Sequence, residues 1–150
     1  HIFNMLEISL LASTGFNPFN AILCMCGFSS SAVWLANSLK AKKKEVRAIG
    51  PSATASALLG IGEPALFGVI LRYGLKPFIL SCCVNGVAGM VAMLLGMQGS
   101  GNGITTIPGI LLYIYSTNQL LMYILLAAAT FASAFALTWM FAVPKEVMEE

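Results

Sequence analysis

From Phe19 to Leu39 the chain runs for about 21 residues without a charged side chain. A helix needs about 20 such residues to cross the hydrocarbon core of a bilayer. Pro77 to Met97 and Leu120 to Val143 are two further runs of the same kind. In lipid, each backbone N–H and C=O must find its partner inside the protein, and a helix achieves this within a single segment. Composition agrees with three spans: of 150 residues, 58% are hydrophobic and 9% are charged, against roughly a quarter charged in an ordinary soluble domain. A disordered chain, a coiled coil and a water-soluble monomer are excluded. The class left is an all-α integral membrane protein, or a piece of one.

The few charges are unevenly placed. Five of the eight basic residues fall between Lys40 and Arg47, and the net charge is only +2. No aromatic residues are interleaved there and apolar runs flank the octet, so it reads as a cytoplasmic membrane loop and not as a nucleic-acid patch. The chain begins at His1 with no basic region ahead of an apolar one. It is therefore expected to be a fragment lacking its N-terminal part, not a chain with a signal peptide. Cys24, Cys26, Cys82 and Cys83 lie in apolar stretches without CxxC spacing or a His cluster. They read as small buried hydrophobes, and neither a metal nor a cofactor is expected. No phosphate-binding loop or nucleophile elbow is present, so nothing argues for a self-contained enzyme.

Along the chain, residues 2–13 read as the end of a helix, broken by the turn residues Thr14-Gly-Phe-Asn-Pro18. Residues 19–39 form the first span, whose Ser29-Ser-Ser31 patch must face protein. Residues 48–71 are apolar but interrupted by Gly50-Pro51, Gly60, Gly62-Glu63-Pro64 and Gly68. Pro64 breaks the hydrogen-bond ladder, and an uncompensated charge at mid-membrane costs about 3 kcal/mol on insertion scales. Two half-helices meeting at Gly62-Glu63-Pro64 suit this stretch better than one crossing. Broken backbone at that depth survives only against protein or a wet cavity. A re-entrant hairpin also leaves Arg72 and Lys76 on the same cytoplasmic side as the basic octet. Residues 77–97 form a span with Gly86 and Gly89 spaced for close helix packing. Residues 98–116 are either an outer loop or a second hairpin. Residues 120–143 span again, with Trp139 as an interfacial anchor, and the polar tail falls in the cytoplasm.

Glu63 is the most informative side chain. A carboxylate beside a proline and between glycines, within an apolar stretch, suits a ligand or ion contact in a cavity formed by broken helices. The alternative is a structural hydrogen bond to a neighbouring helix end. Glycines such as Gly62 let a polar ligand approach the backbone, and a carboxylate accepts two hydrogen bonds from vicinal sugar hydroxyls. Glu7 stands within an apolar run and is expected to face protein. Asn4 follows His1 by three residues and shares its helix face. Three functions fit these residues: a sugar permease, an ion-coupled secondary transporter with Glu63 at the coupling-ion site, or a membrane scaffold.

The run Gly60-Ile-Gly-Glu-Pro-Ala-Leu-Phe-Gly68, continued by Arg72 and Lys76-Pro77-Phe78, resembles a motif of a known family. That family is the membrane-embedded IIC component of the bacterial phosphoenolpyruvate-dependent sugar phosphotransferase system (PTS), glucose superfamily, sucrose/trehalose/β-glucoside-like. The family motif has Thr where Gly62 stands, which removes one hydroxyl contact and keeps the Glu. His1-Ile-Phe-Asn-Met-Leu-Glu7 resembles the H-H-x-F-x-x-x-E stretch from its second His, and Thr105-Thr-Ile-Pro-Gly109 resembles T-A-I-P-G. The resemblance implies the C-terminal, substrate-binding half of an IIC permease, with spanning helices and two re-entrant hairpins, the second near residues 98–116. It implies sugar transport coupled to phosphorylation by a IIB partner, itself supplied by IIA, in a homodimer in the bacterial cytoplasmic membrane. Glu63, His1, Gly62 and Asn4 would then bind sugar, and His1 would assist proton removal from the hydroxyl that is phosphorylated.

Overall fold

The computed structural model describes residues 2–62, 75–103 and 105–143, the side chain of Phe3 excepted. Five α-helices account for most of these residues, and no strand occurs among them beyond one isolated bridge. They are α1 (Ile2–Thr14), α2 (Pro18–Lys40), α3 (Lys44–Leu58), α4 (Leu75–Leu94) and α5 (Thr117–Leu137). A 3₁₀ segment, Pro108–Tyr113, precedes α5, and a π-helical turn, Thr138–Ala142, follows it. Pro18–Lys40, Leu75–Leu94 and Thr117–Ala142 are long and apolar enough to cross a membrane. The fold is thus all-α, and three helices among the described residues have the length and hydropathy of membrane spans.

α2 is the axis of the molecule. Its start is built from the sequence Asn17-Pro18: the Asn17 side chain accepts a hydrogen bond from the Asn20 N–H at 3.3 Å, and Pro18 occupies the first turn, where no N–H is needed. Asn17 also pairs with Gly99 through both backbone groups, at 2.8 and 3.0 Å. The serine patch of α2 does face protein. Ser29 and Ser31 are fully buried; Ser31 donates to the Gly27 carbonyl at 2.6 Å, and Ser29 lies 3.3 Å from the Ser81 hydroxyl on α4. α3, α4 and α5 all pack on α2.

Three apolar clusters hold these helices. The largest joins Met25 and Phe28 of α2 to Ala88 and Ala92 of α4, to Tyr113, and to Tyr123 and Ala127 of α5. A second joins Trp34 to Val46, Ala53 and Ala57 of α3, with Phe78 of α4 against it. A third joins Ala32 and Val33 to Ala134. Between helices in lipid, such clusters act through close van der Waals packing, since lipid tails are as apolar as the side chains. The outward faces are apolar as well: Leu94, Met90 and Leu125 are exposed, as lipid-facing residues must be.

The packing fixes directions. Phe78 of α4 sits with Trp34 and Ala41, so α4 starts beside the Lys40 end of α2 and runs antiparallel to it. α5 runs parallel to α2: the Lys40 ammonium donates to the Trp139 carbonyl at 2.7 Å and lies 5.5 Å from the indole centroid. α3 also leaves from the Lys40 end, its Gly50 seated directly on the Ser38 side chain. Eight residues on, about 12 Å along the helix, it stops at Leu58. The segment from Lys44 to Leu75 therefore has both ends on one side of the bundle.

Two details differ from simple expectation. α3 begins within the basic octet, at Lys44, and carries Pro51 in its interior. Of the two α4 glycines, only Gly89 is at a close contact: a Cβ there would lie 3.2 Å from Ile22, whereas nothing approaches Gly86. The cysteines need a correction too. Cys24 is buried, but Cys26, Cys82 and Cys83 are exposed on the outer face of the helices, and all four are free thiols.

Candidate functional site

α3 ends in a motif that local sequence dictates. The Gly60 N–H bonds the Ala57 carbonyl at 3.0 Å and the Ile61 N–H bonds the Ser56 carbonyl at 2.9 Å, which is the Schellman closure of a helix C-terminus. It requires a left-handed residue, and Gly60 supplies it at φ +94°. The helix thereby ends at Leu58, four positions before Gly62.

A second segment reaches this stop from the opposite side of the bundle. Residues 98–116 leave α4 and enter α5 near the start of α2; the Gln119 amide donates to the Gly96 carbonyl at 3.1 Å, and both Ser100 donors bond the Leu112 carbonyl. Between these ends, Thr105-Thr106 is pushed inward. The Ile107 N–H bonds the Leu58 carbonyl at 3.1 Å, satisfying an acceptor that a helix C-terminus leaves open. A Cβ on Gly60 would lie 2.9 Å from Thr105 Oγ1. The Thr106 side chain lies directly over Gly27, in the space where a Cβ would sit. Gly27 is nine residues into α2, about 14 Å along it, close to half the thickness of a hydrocarbon core of about 30 Å. The two irregular segments thus meet halfway along the axial helix.

Polar groups line this junction. The Tyr123 hydroxyl of α5 donates to the Thr106 carbonyl. The Tyr113 hydroxyl donates to Asn20 Oδ1 at 3.3 Å, and the Cys24 thiol donates to the same oxygen at 3.4 Å. The Tyr113 and Tyr123 rings are 4.5 Å apart, and Phe28 meets Tyr123 edge-on at 6.0 Å. The Tyr113 side chain is fully buried here. Beside the junction, a cleft of about 380 Å³ is bounded by Phe28, Leu58, Ile107, Tyr123 and Phe131. Buried polar atoms at membrane depth are retained mostly where they have partners or a ligand.

Of the four residues singled out from sequence, Glu63 and His1 lie outside the described residues. Gly62 is exposed, directly after the Schellman turn, and a Cβ added to it would meet nothing within 4 Å. Asn4 is exposed on α1. Glu7 is turned inward with 3% of its surface exposed, although Leu6 and Ile8 beside it are open. Sequence reasoning passed over Thr106, Asn20, Tyr113 and Tyr123 as site residues. The Thr105–Gly109 motif marked the segment, but the left-handed Thr106 (φ +57°) has no sequence signature. Among the described residues no group of three His, Cys or Glu side chains is placed to hold a metal.

Comparison with known proteins places this architecture. No family model matches the chain, and no solved structure matches it. The MurNAc-GlcNAc-specific EIIBC component of the PTS from Staphylococcus epidermidis is 32% identical over 152 aligned positions, covering 98% of this chain and 31% of that protein. The sucrose-specific EIIBC component of Bacillus subtilis is 33% identical, covering 90% of this chain and 29% of its own length. The trehalose-specific EIIBC component of Escherichia coli is 27% identical, covering 71% and 22%. The chain spans about three-tenths of the length of the curated relatives it matches. Over that stretch, the chain is a relative of the sugar-specific EIIBC components of the phosphotransferase system, glucose superfamily.

Proposed function

We propose that the protein carries a sugar across the bacterial cytoplasmic membrane as a multi-pass IIC permease, and that a IIB domain phosphorylates that sugar as it arrives. The observation that carries this reading is the meeting of two segments, one from each side of the bundle, halfway along α2, immediately ahead of Glu63. Transporters build substrate sites at the bilayer midplane from such broken elements. We read Lys44–Leu75 and residues 98–116 as two re-entrant hairpins, with Lys40–Arg47 on the cytoplasmic side. The relatives named for sucrose, trehalose and MurNAc-GlcNAc support a disaccharide or glucoside substrate.

In this reading Glu63 accepts hydrogen bonds from sugar hydroxyls, and Gly62, with open space around it, lets the sugar approach the backbone. His1 serves as the general base toward the hydroxyl that is phosphorylated, which requires hydrogen-bond reach of that proton; Asn4 supports the sugar from α1. IIB delivers the phosphoryl group and IIA reloads it. The working form is a homodimer, and the hairpin-bearing part moves against a scaffold to alternate access.

Calorimetric titration of the purified full-length protein with sucrose, trehalose and MurNAc-GlcNAc tests the site. At least one sugar is expected to bind, and Glu63→Gln to weaken it at least tenfold through loss of a charged acceptor. Undiminished sugar binding by Glu63→Gln would remove Glu63 from the site. Uptake that follows a proton or Na⁺ gradient without phosphoenolpyruvate would establish an ion-coupled transporter instead.

A further inference from the structure

α4 and α5 pack side by side and leave a groove of about 440 Å³ between them. It shares no lining residue with the cleft beside the junction. The buried Ala88 and Thr130 lie at its base, and the exposed Val87, Ala129 and Ser133 stand along its edges. The groove follows the helix axes. On α4 it extends from Cys83 to Val91, about 12 Å, and on α5 from Leu126 to Leu137, about 17 Å. Its hydroxyls are already engaged: Thr130 donates to the Leu126 carbonyl at 2.7 Å and Ser133 to the Thr130 carbonyl at 3.1 Å. An elongated occupant therefore finds van der Waals contact there and no hydrogen bond.

A cation stands on the same face. Lys76 precedes Cys83 by two helical turns, so the two share one side of α4, with Lys76 about 10 Å nearer the Lys40 end of the bundle. Lys76 is exposed and has no hydrogen-bond or ion-pair partner among the described residues. The basic octet lies at the same end, with Lys42, Lys44 and Arg47 exposed. Basic groups beside a spanning helix attract anionic lipid headgroups. One leaflet is about 15 Å deep, half the hydrocarbon core. An acyl chain hanging from a headgroup at Lys76 thus reaches Cys83 and the near part of the groove within its own leaflet. A phospholipid joins the two chemistries, an apolar chain and an anion, at this separation. An apolar helix seated in the groove would leave the Lys76 ammonium unpaired.

We propose that the groove between α4 and α5 is a binding site for an anionic phospholipid, with one acyl chain in the groove and the phosphate paired with Lys76. The site needs only that α4 and α5 span a bilayer, and it stands whichever solute the protein carries.

The test is native mass spectrometry of the purified full-length protein, stripped of lipid in detergent and titrated with dioleoylphosphatidylglycerol or dioleoylphosphatidylcholine. Wild type is expected to bind its first phosphatidylglycerol at least about fivefold more tightly than phosphatidylcholine, which is what one lysine contributes at an anionic surface. Lys76→Gln is expected to weaken phosphatidylglycerol about fivefold and to leave phosphatidylcholine unchanged, and Lys76→Arg to bind both as wild type does. Ala129→Phe fills the groove from an exposed edge and is expected to weaken both lipids at least about tenfold. Phosphatidylglycerol binding that is unchanged in Lys76→Gln would overturn the proposal, and so would unchanged binding of both lipids in Ala129→Phe. Other occupants give other results. A second copy would register as a dimer that Ala129→Phe dissociates without loss of lipid. A helix of the same chain would cover Cys83, so that a lipid-stripped variant with Cys83 as its only cysteine would not react with N-ethylmaleimide. Either result would overturn the proposal. The expected one is a Cys83 that reacts in stripped protein and is protected by phosphatidylglycerol more than by phosphatidylcholine.

Discussion

At the scale of single residues, the junction depends on the absence of side chains at two places. Gly60 holds φ +94° with Thr105 Oγ1 where a Cβ contact would be 2.9 Å. Gly60→Ala is expected to cost about 1–3 kcal/mol, from the left-handed backbone and the crowding together. Thermal unfolding in detergent reads this as a lowered midpoint, and an unchanged midpoint would contradict the Schellman closure. Gly27 is where the Thr106 side chain rests. Gly27→Ala must displace Thr106, and overpacking of this kind costs typically about 1–3 kcal/mol. We expect it to weaken sugar binding more than it lowers the unfolding midpoint. Equal binding in Gly27→Ala and wild type would show that the Thr106 segment is not part of the site.

The elements set sides and depths. Lys40 and Trp139 are joined by a 2.7 Å hydrogen bond and an ammonium-over-indole contact, so the basic octet and the end of α5 share one end of the bundle. Gln98 and Ser100 lie on the other. In a variant without the four native cysteines, a single cysteine at Lys42 is expected to react with an impermeant maleimide from the cytoplasmic side only. One at Gly103 is expected to react from the outside only. Labelling of both from one side would contradict the placement of α2, α4 and α5. Much of this was legible beforehand. Long uncharged runs located the three helices long and apolar enough to span, and the serine patch pointed inward because lipid offers hydroxyls no partner. The ambiguity at residues 98–116 could not be resolved by periodicity, since an inward loop held by Tyr123, Leu58 and Gly27 has no repeating pattern. Likewise the burial of Glu7 was expected from its apolar neighbours, whereas the exposure of Cys26, Cys82 and Cys83 was not. In a bilayer an apolar side chain is as well placed outside as inside, so hydropathy does not separate the two.

For the whole molecule, the chain covers about three-tenths of the length of the relatives it matches, many large apolar side chains are exposed on its helices, and in the proposed reading it is the hairpin-bearing part of a permease. The central claim is that this part binds the sugar and presents it for phosphorylation. It is tested most directly by loading vesicles carrying the full-length protein with phosphoenolpyruvate and the general phosphotransfer proteins, and measuring sugar phosphate formed from external disaccharide. Wild type is expected to accumulate sugar phosphate only when phosphoenolpyruvate is present, and Glu63→Gln to form less by at least a factor of ten. Accumulation of free, unphosphorylated sugar, equal with and without phosphoenolpyruvate, would contradict the account.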